Sequence, residues 1–230
     1  MKSILAARVR SARRAAPIAA AALVLGAAGG GAAIAEAAGT TGASTAAPTP
    51  HVHAKFTREQ LAGHPVRARG VAHPSDRTHT VLMQARRGHG RWQTVDRART
   101  QAGHFRASWR PSSTGRYQVR AVLAGATGAA GAKPAQRTVR VYRAAAASWY
   151  GPGFYGHRTA CGHTLTPGTL GVANKSLPCG TRVTFRYGRY RVTVPVIDRG
   201  PYAGARVWDL TPATKSRLHF PSTGVVWSTR

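Results

Sequence analysis

The sequence predicts an all-β protein with two sheet domains in series. Three observations carry this reading. Apolar and polar residues alternate with period two through residues 55–143, as in Phe105, Ala107 and Trp109 against Arg106, Ser108 and Arg110. The alternation returns near the end of the chain, where Val183, Phe185 and Tyr187 oppose Arg182, Thr184 and Arg186. Turns bearing Gly and Pro separate the short runs, as in antiparallel sheets.

In chain order, Lys2, Arg8, Arg10, Arg13 and Arg14 form a basic start without an acid. An Ala- and Gly-rich apolar stretch follows from Ala15 to Ala35, and Ala33-Ile34-Ala35 stands ahead of Glu36. This is the three-part layout of a secretory signal peptide over residues 1–35. An uncleaved membrane anchor is the alternative, since the stretch is long enough to span a bilayer. Its weak hydrophobicity favours cleavage, leaving a secreted protein, extracellular or associated with a cell wall, with no stable membrane span. Residues 36–54 are Ala, Gly, Thr, Ser and Pro without apolar periodicity and read as a flexible linker.

Residues 55–143 read as an antiparallel β-sandwich. Gly88-His89-Gly90 turns the chain between Thr80–Ala85 and Trp92–Val95. Pro111-Ser112-Ser113-Thr114-Gly115-Arg116-Tyr117 resembles the corner before a late strand of an immunoglobulin-like sandwich, with Tyr117 as the corner tyrosine. The outward arginines form either a solvated face or a basic surface that holds the protein on an anionic wall polymer. His51, His53, His64, His73, His79, His89 and His104 fall near expected turns and read as scattered surface residues. Ala144 to Ala147 joins this domain to the last.

In the last domain Gly188 reverses the chain, and Tyr190, Val192, Val194 and Val196 share one face of a returning strand. Pro195 removes a backbone donor there, which predicts a free edge or a bulge. Asp198 follows the strand at the start of Arg199-Gly200-Pro201, a position that holds a side chain still at a sheet rim. Thr211 as N-cap and Pro212 at the first helical position predict a helix from Pro212 to Leu218.

Several ordered motifs here carry a family resemblance. Ala147-Ser148-Trp149-Tyr150-Gly151, then Phe154 through Gly162, then Leu170, Ala173, Lys175, Leu177-Pro178, Gly180 through Val183, Val196 through Tyr202 and Asp209-Leu210 resemble the RlpA-like (rare lipoprotein A) family. The resemblance covers residues 147–230. It implies a six-stranded double-psi β-barrel acting on bacterial peptidoglycan, and several members are lytic transglycosylases. The same barrel occurs in expansins and related endoglucanases.

Charge restricts the chemistry. The 230 residues hold 34 Lys or Arg and 6 Asp or Glu, a formal charge of +28. Eighteen basic and three acidic residues lie in 51–143, against eleven and two in 147–230. So few carboxylates cannot build a calcium or magnesium site of the all-oxygen kind, and no cofactor is called for. So positive a chain belongs among polyanions; export directs it to peptidoglycan or another anionic cell-wall polymer and away from nucleic acid.

Only Asp198 and Asp209 are carboxylates in the last domain. Glycoside hydrolysis usually needs two carboxylates. A lytic transglycosylase can work with one group acting as acid and then base, because a hydroxyl of the sugar itself attacks. The resemblance places Asp198 at the family's catalytic Asp and Asp209 at the general acid of the related endoglucanases. It places His163 where the family's transglycosylases carry Glu. A His can exchange protons near neutral pH but cannot offer negative charge to an oxocarbenium-like centre. The structural alternatives are turn amides or Arg199 as partners of Asp198, and helix capping by Asp209.

Cys161 and Cys179, the only cysteines of an exported chain, are expected to form a disulfide; a metal site with His163 lacks a fourth ligand. Tyr150, Arg158, Lys175, Arg199 and Tyr202 are the expected substrate-binding residues, the aromatics by stacking on sugar and the cations by meeting lactyl and stem-peptide carboxylates. Trp149, Phe154, Tyr155 and Trp208 divide between groove and core, and Asn174 stands where family members often have His. The reading is a cell-wall protein that cleaves glycan strands as an endolytic lytic transglycosylase. Its alternative is a non-catalytic, expansin-like wall-binding or wall-loosening module. The sequence does not specify an oligomeric state.

Overall fold

Each strand of the first domain has one dry face, and two sheets close over those faces. The computed structural model describes residues 49–125 and 134–230. The leader read over residues 1–35 and the linker as far as residue 48 lie outside the described residues.

One sheet of the sandwich has the order β1 (His51–Phe56), β3 (Val66–His73), β6 (His104–Trp109), all antiparallel. The facing sheet contains β2 (Glu59–Leu61), β4 (Thr80–Arg87), β5 (Gln93–Arg99), β7 (Gly115–Leu123) and β8 (Ala135–Trp149), ordered β2-β8-β7-β4-β5. Val66, Val81, Met83, Val119 and Val139 are fully buried between them. The Tyr117 hydroxyl donates to the Ser113 carbonyl at 2.9 Å, with Trp109 edge-on at 5.0 Å between ring centroids. This is an immunoglobulin-like sandwich with its tyrosine corner.

Two expectations are corrected here. β1 starts at His51, inside the segment read as linker, because Val52 and Ala54 face the core while His51 and His53 face out. The histidines are not all scattered: His51 stacks on His73 at 4.8 Å, with His53 edge-on to His51.

The second domain is a closed ring of six strands. Besides the end of β8, it uses β9 (Val172–Ala173), β10 (Arg182–Tyr187), β11 (Tyr190–Asp198), β12 (Trp208–Leu210) and β13 (Gly224–Ser228). The order is β12-β9-β11-β10-β13-β8, and β8 pairs again with β12 to close the barrel. Closure leaves no free edge in the ring. Phe185, Val194, Trp208, Leu210 and Leu218 fill it, and the buried Trp208 indole donates to Ser228 Oγ at 3.1 Å. Helix α1 runs Pro212–Leu218, with Thr211 Oγ1 accepting from the Thr214 amide. The irregularity foreseen at Pro195 falls between Val196 and Asp198 of β11.

Ala144–Ala147 joins the two domains as part of a continuous strand, without a loop. β8 is one strand of 15 residues. Its first half pairs with β7 and β2, its second with β13 and β12. Glu59 of β2 fastens the junction. It accepts from the Tyr142 hydroxyl at 3.1 Å and pairs with Arg186 at 3.2 Å and with Arg191. Burial, then the Glu59 charge, pushes the Tyr142 phenol up to about 12.

Candidate active site on the barrel wall

The strand alternation sets out the site. Trp208 and Leu210 point into the barrel, so Asp209 between them points outward. On β11 the irregularity after Val196 brings Asp198 into register with Ala173. Ala173 is also the partner of Asp209, and Asp209 is the partner of Ser148 on β8. Directly opposed residues share a face. Asp198, Ala173, Asp209 and Ser148 therefore form one row across four strands. Two strand spacings separate the Cα atoms of the carboxylates by about 10 Å, and the residue between them offers only a methyl group.

The two acids are held differently. Asp198 Oδ1 accepts from the amides of Ala160 at 2.9 Å and Arg199 at 2.8 Å. Both amides fall on this one oxygen, and the Tyr150 hydroxyl approaches the same carboxylate. Asp209 Oδ1 accepts from the Ser148 hydroxyl at 2.8 Å. Burial raises the Asp209 pKa; the Ser148 bond and Arg206 oppose this, and the Asp198 charge adds to it. Helix capping falls to Thr211 and not to Asp209. The Tyr150 hydroxyl lies buried beside the pair. Burial, followed by the charges of Asp198 and Asp209, drives its pKa upward. Its bond to Asp198 adds to the rise, although the contact falls short of ideal hydrogen-bond geometry, so the nearest acceptor for this buried donor is the Asp198 carboxylate.

The loop from Tyr150 to Gly171 covers one end of the row. The Tyr150 amide donates to Leu210 and the Cys161 amide to Ile197. A disulfide joins Cys161 to Cys179, with Cα atoms 5.7 Å apart, and so ties this loop to the approach of β10. His163 sits on the same loop. Its amide donates to Thr159 Oγ1 at 3.1 Å and its carbonyl accepts from the Thr159 amide at 2.7 Å. Its ring is exposed and makes no hydrogen bond among the described residues. Arg158 spans the same turn, donating to the Gly162 carbonyl at 3.1 Å.

Arg199 is placed otherwise than its expected role requires. Its Nη1 donates to the carbonyls of Asn174 at 3.2 Å and Leu177 at 3.0 Å, and Nη2 lies 3.3 Å from Cys179 Sγ. Its fork holds the loop 174–179 in place. Asn174, 5% exposed, accepts from the Ser176 and Leu177 amides and donates to the Val207 carbonyl. Lys175 next to it is exposed, with no ion pair among the described residues. Tyr202 is 79% exposed and Phe154 58%, both large apolar faces open to solvent. Trp208 belongs to the core, and Trp149 packs against it, with Lys215 Nζ 4.4 Å from the Trp149 ring centroid. Ser148 was not singled out as a site residue. Only its place opposite Asp209 reveals its part.

Known proteins match this domain. A double-psi barrel family model described as lytic transglycolase matches residues 142–227. A probable endolytic peptidoglycan transglycosylase RlpA of Synechocystis is 42% identical over 94 residues, covering 40% of this chain and 29% of that protein. The endolytic peptidoglycan transglycosylase RlpA of Campylobacter jejuni is 41% identical over 80 residues, 34% and 29% of the two chains. That of Pseudomonas aeruginosa is 41% identical over 88 residues, 37% and 26%. The chain thus spans less than a third of the length of these three relatives. With a matching ring of six strands, the second domain belongs to the RlpA-like double-psi β-barrel family.

Proposed function

We propose that the barrel cleaves the glycan strands of peptidoglycan as an endolytic lytic transglycosylase, with Asp198 as its acid–base group. The observation that carries this is the row in which Asp198 and Asp209 flank Ala173 on an outward face. Two amides hold one oxygen of Asp198 in place, and the Tyr150 hydroxyl stands beside the same carboxylate. Asp198 gives a proton to the glycosidic oxygen as the bond to C1 breaks. The 6-hydroxyl of the muramic residue then adds to C1, and its proton passes to Asp198. The product ends in a 1,6-anhydro ring, no water is consumed, and the acid is regenerated. Asp209 assists as the second carboxyl of the row, held by the Ser148 hydroxyl and shifted upward by burial. Tyr150, Tyr202 and Lys175 line the approach, the aromatics for sugar and the cation for lactyl and peptide carboxylates.

The relatives named above support a wall substrate. Among the described residues no helix is long and apolar enough to cross a membrane. Export by a leader ending at Ala35 is part of this proposal, and sequencing the secreted N-terminus checks it: the mature chain begins at Glu36.

A second reading, wall binding or loosening without cleavage, is favoured by His163, whose exposed ring cannot supply a second anion. Digestion of purified sacculi separates the two. Release of 1,6-anhydro-muropeptides by the wild type and its loss in Asp198→Asn support cleavage. Binding to sacculi with no anhydro product, or product that persists in Asp198→Asn, refutes it.

A further inference from the structure

The sheet β1–β3–β6 of the sandwich turns a strongly charged face outward. Lys55 is the direct cross-strand partner of Arg69, and Arg69 is the partner of Arg106. All three are exposed, while Val52, Ala68, Phe105 and Ala107 of the same strands are buried. Opposed residues lie about 5 Å apart, so three full positive charges stand within about 10 Å on one face. One step along the strands His53 and His104 flank Val71; in the other direction Arg67 faces Ser108. A trough of about 1260 Å³ follows this face, and Arg99 and Arg137 add two further cations to its lining.

Like charges set directly opposite one another destabilise a sheet. Among the described residues one carboxylate stands near them: Asp96 shares a small pocket with Arg67, Arg69 and Arg106 and offsets part of their charge. None of Lys55, Arg69, Arg99, Arg106 and Arg137 forms a salt bridge there. Glu59 is bound to the barrel arginines, Asp76 lies beside Arg77, and Asp198 and Asp209 belong to the barrel. Asp96 lies at the Ser108 end, but its oxygens hold the amides of Arg97 and Ser108. The sixth acid, Glu36, lies outside the described residues.

We propose that this face binds an extended phosphodiester polymer of the polyol-phosphate kind, through its phosphates alone. Four of the five cations are arginines, whose planar forks take the oxygens of a phosphate or a carboxylate two at a time, and the comparison with poly-glutamate below decides between them. The cations recur both across the strands and along them, Arg67 and Arg69 being about 7 Å apart. A chain with regularly repeated charges fills such a strip, and a single anion does not. The trough presents no exposed Trp, Tyr or Phe on which nucleobases could stack. This site lies on the other domain and does not depend on the reaction proposed for the barrel.

The test uses the full chain with a labelled long-chain polyphosphate, against poly-glutamate and oligo-deoxythymidine of matched charge. Binding by the wild type weakens with salt. Lys55→Glu/Arg69→Glu/Arg106→Glu weakens it at least 100-fold and lowers the slope of log affinity against log salt by about 2. A control triple on other exposed arginines of the sandwich, Arg91→Glu/Arg110→Glu/Arg116→Glu, makes the same change in net charge and shifts affinity less than fivefold. If the first triple does not fold, Lys55→Ala/Arg69→Ala/Arg106→Ala replaces it with the same expected direction. Asp198→Asn binds as the wild type does. Equal loss in the control triple overturns the site, since net charge alone then explains binding. Equal affinity for poly-glutamate overturns the choice of phosphate, and tighter binding of oligo-deoxythymidine overturns the choice of polymer.

Discussion

Ser148 and Asp209 stand directly opposite each other on parallel strands, and the Ser148 hydroxyl donates to Asp209 Oδ1 at 2.8 Å. This bond is the main force opposing the upward push of burial on Asp209. Ser148→Ala therefore moves the Asp209 titration to higher pH, measured by carboxyl-carbon NMR. The sign for stability follows. A carboxyl raised above its unfolded value makes the native state bind more protons than the unfolded one. Its contribution is present at low pH and is lost as pH rises through the native pKa. Ser148→Ala extends that loss to higher pH, and Asp209→Asn abolishes it. An Asp209 titration unmoved by Ser148→Ala contradicts the assignment.

The row also predicts unequal effects on cleavage. Asp198→Asn lowers the rate of anhydro-muropeptide release by about 10²- to 10⁴-fold, the usual worth of a general acid–base group. Asp209→Asn keeps the shape of the side chain and an oxygen for the Ser148 hydroxyl, and it costs less than about tenfold. Rates on purified sacculi at fixed pH rank the two, and a larger loss from Asp209→Asn reverses the roles.

The bridge from Cys161 to Cys179 closes a loop of 18 residues in sequence separation. Replacing both cysteines by Ser costs about 3 kcal/mol in the chain-entropy model, a fall in Tm of about 10 °C. Reductant lowers the wild-type Tm by the same amount and leaves the double variant unchanged. A wild-type Tm insensitive to reductant counts against a stabilising bridge.

At the junction, burial and Glu59 hold the Tyr142 phenol up to about 12, against 10.0 for a free tyrosine. The native state keeps this proton where the unfolded state has lost it. The contribution is complete below pH 10.0 and disappears as pH rises toward 12. Urea unfolding across that interval shows a steep loss in the wild type and a flatter one in Tyr142→Phe. Glu59→Gln moves the Tyr142 titration, followed by ultraviolet absorbance, back down.

The strands most readable in the sequence are those with one dry and one wet face. Val183, Phe185 and Val194 declared β10 and β11, and Thr211-Pro212 declared the helix. β9 escaped notice because two residues, Val172 and Ala173, show no period. The continuity of β8 escaped because Ala144 to Ala147 offer no contrast of polarity. Asp198 and Asp209 were readable as the barrel's only carboxylates, but Ala173 as their common neighbour was not. Register between distant strands is decided by the closed ring and not by local pattern. Arg199 looked free to meet anions because its competitors, the carbonyls of Asn174 and Leu177, lie more than twenty residues back in the chain.

The shared strand also makes the two domains keep step. Val139 and Val141 face the sandwich core, while Ala145, Ala147 and Trp149 face the barrel core. All five positions are odd. One extra residue anywhere in Ala144–Ala146 would exchange inside for outside in one domain while leaving the other as it is. Two extra residues would restore the phase but shift Glu59 away from Arg186 and Arg191. The domains are therefore not interchangeable modules on a string. A chimera that replaces the sandwich must preserve both the parity and the length of β8, and this sets a rule for building one.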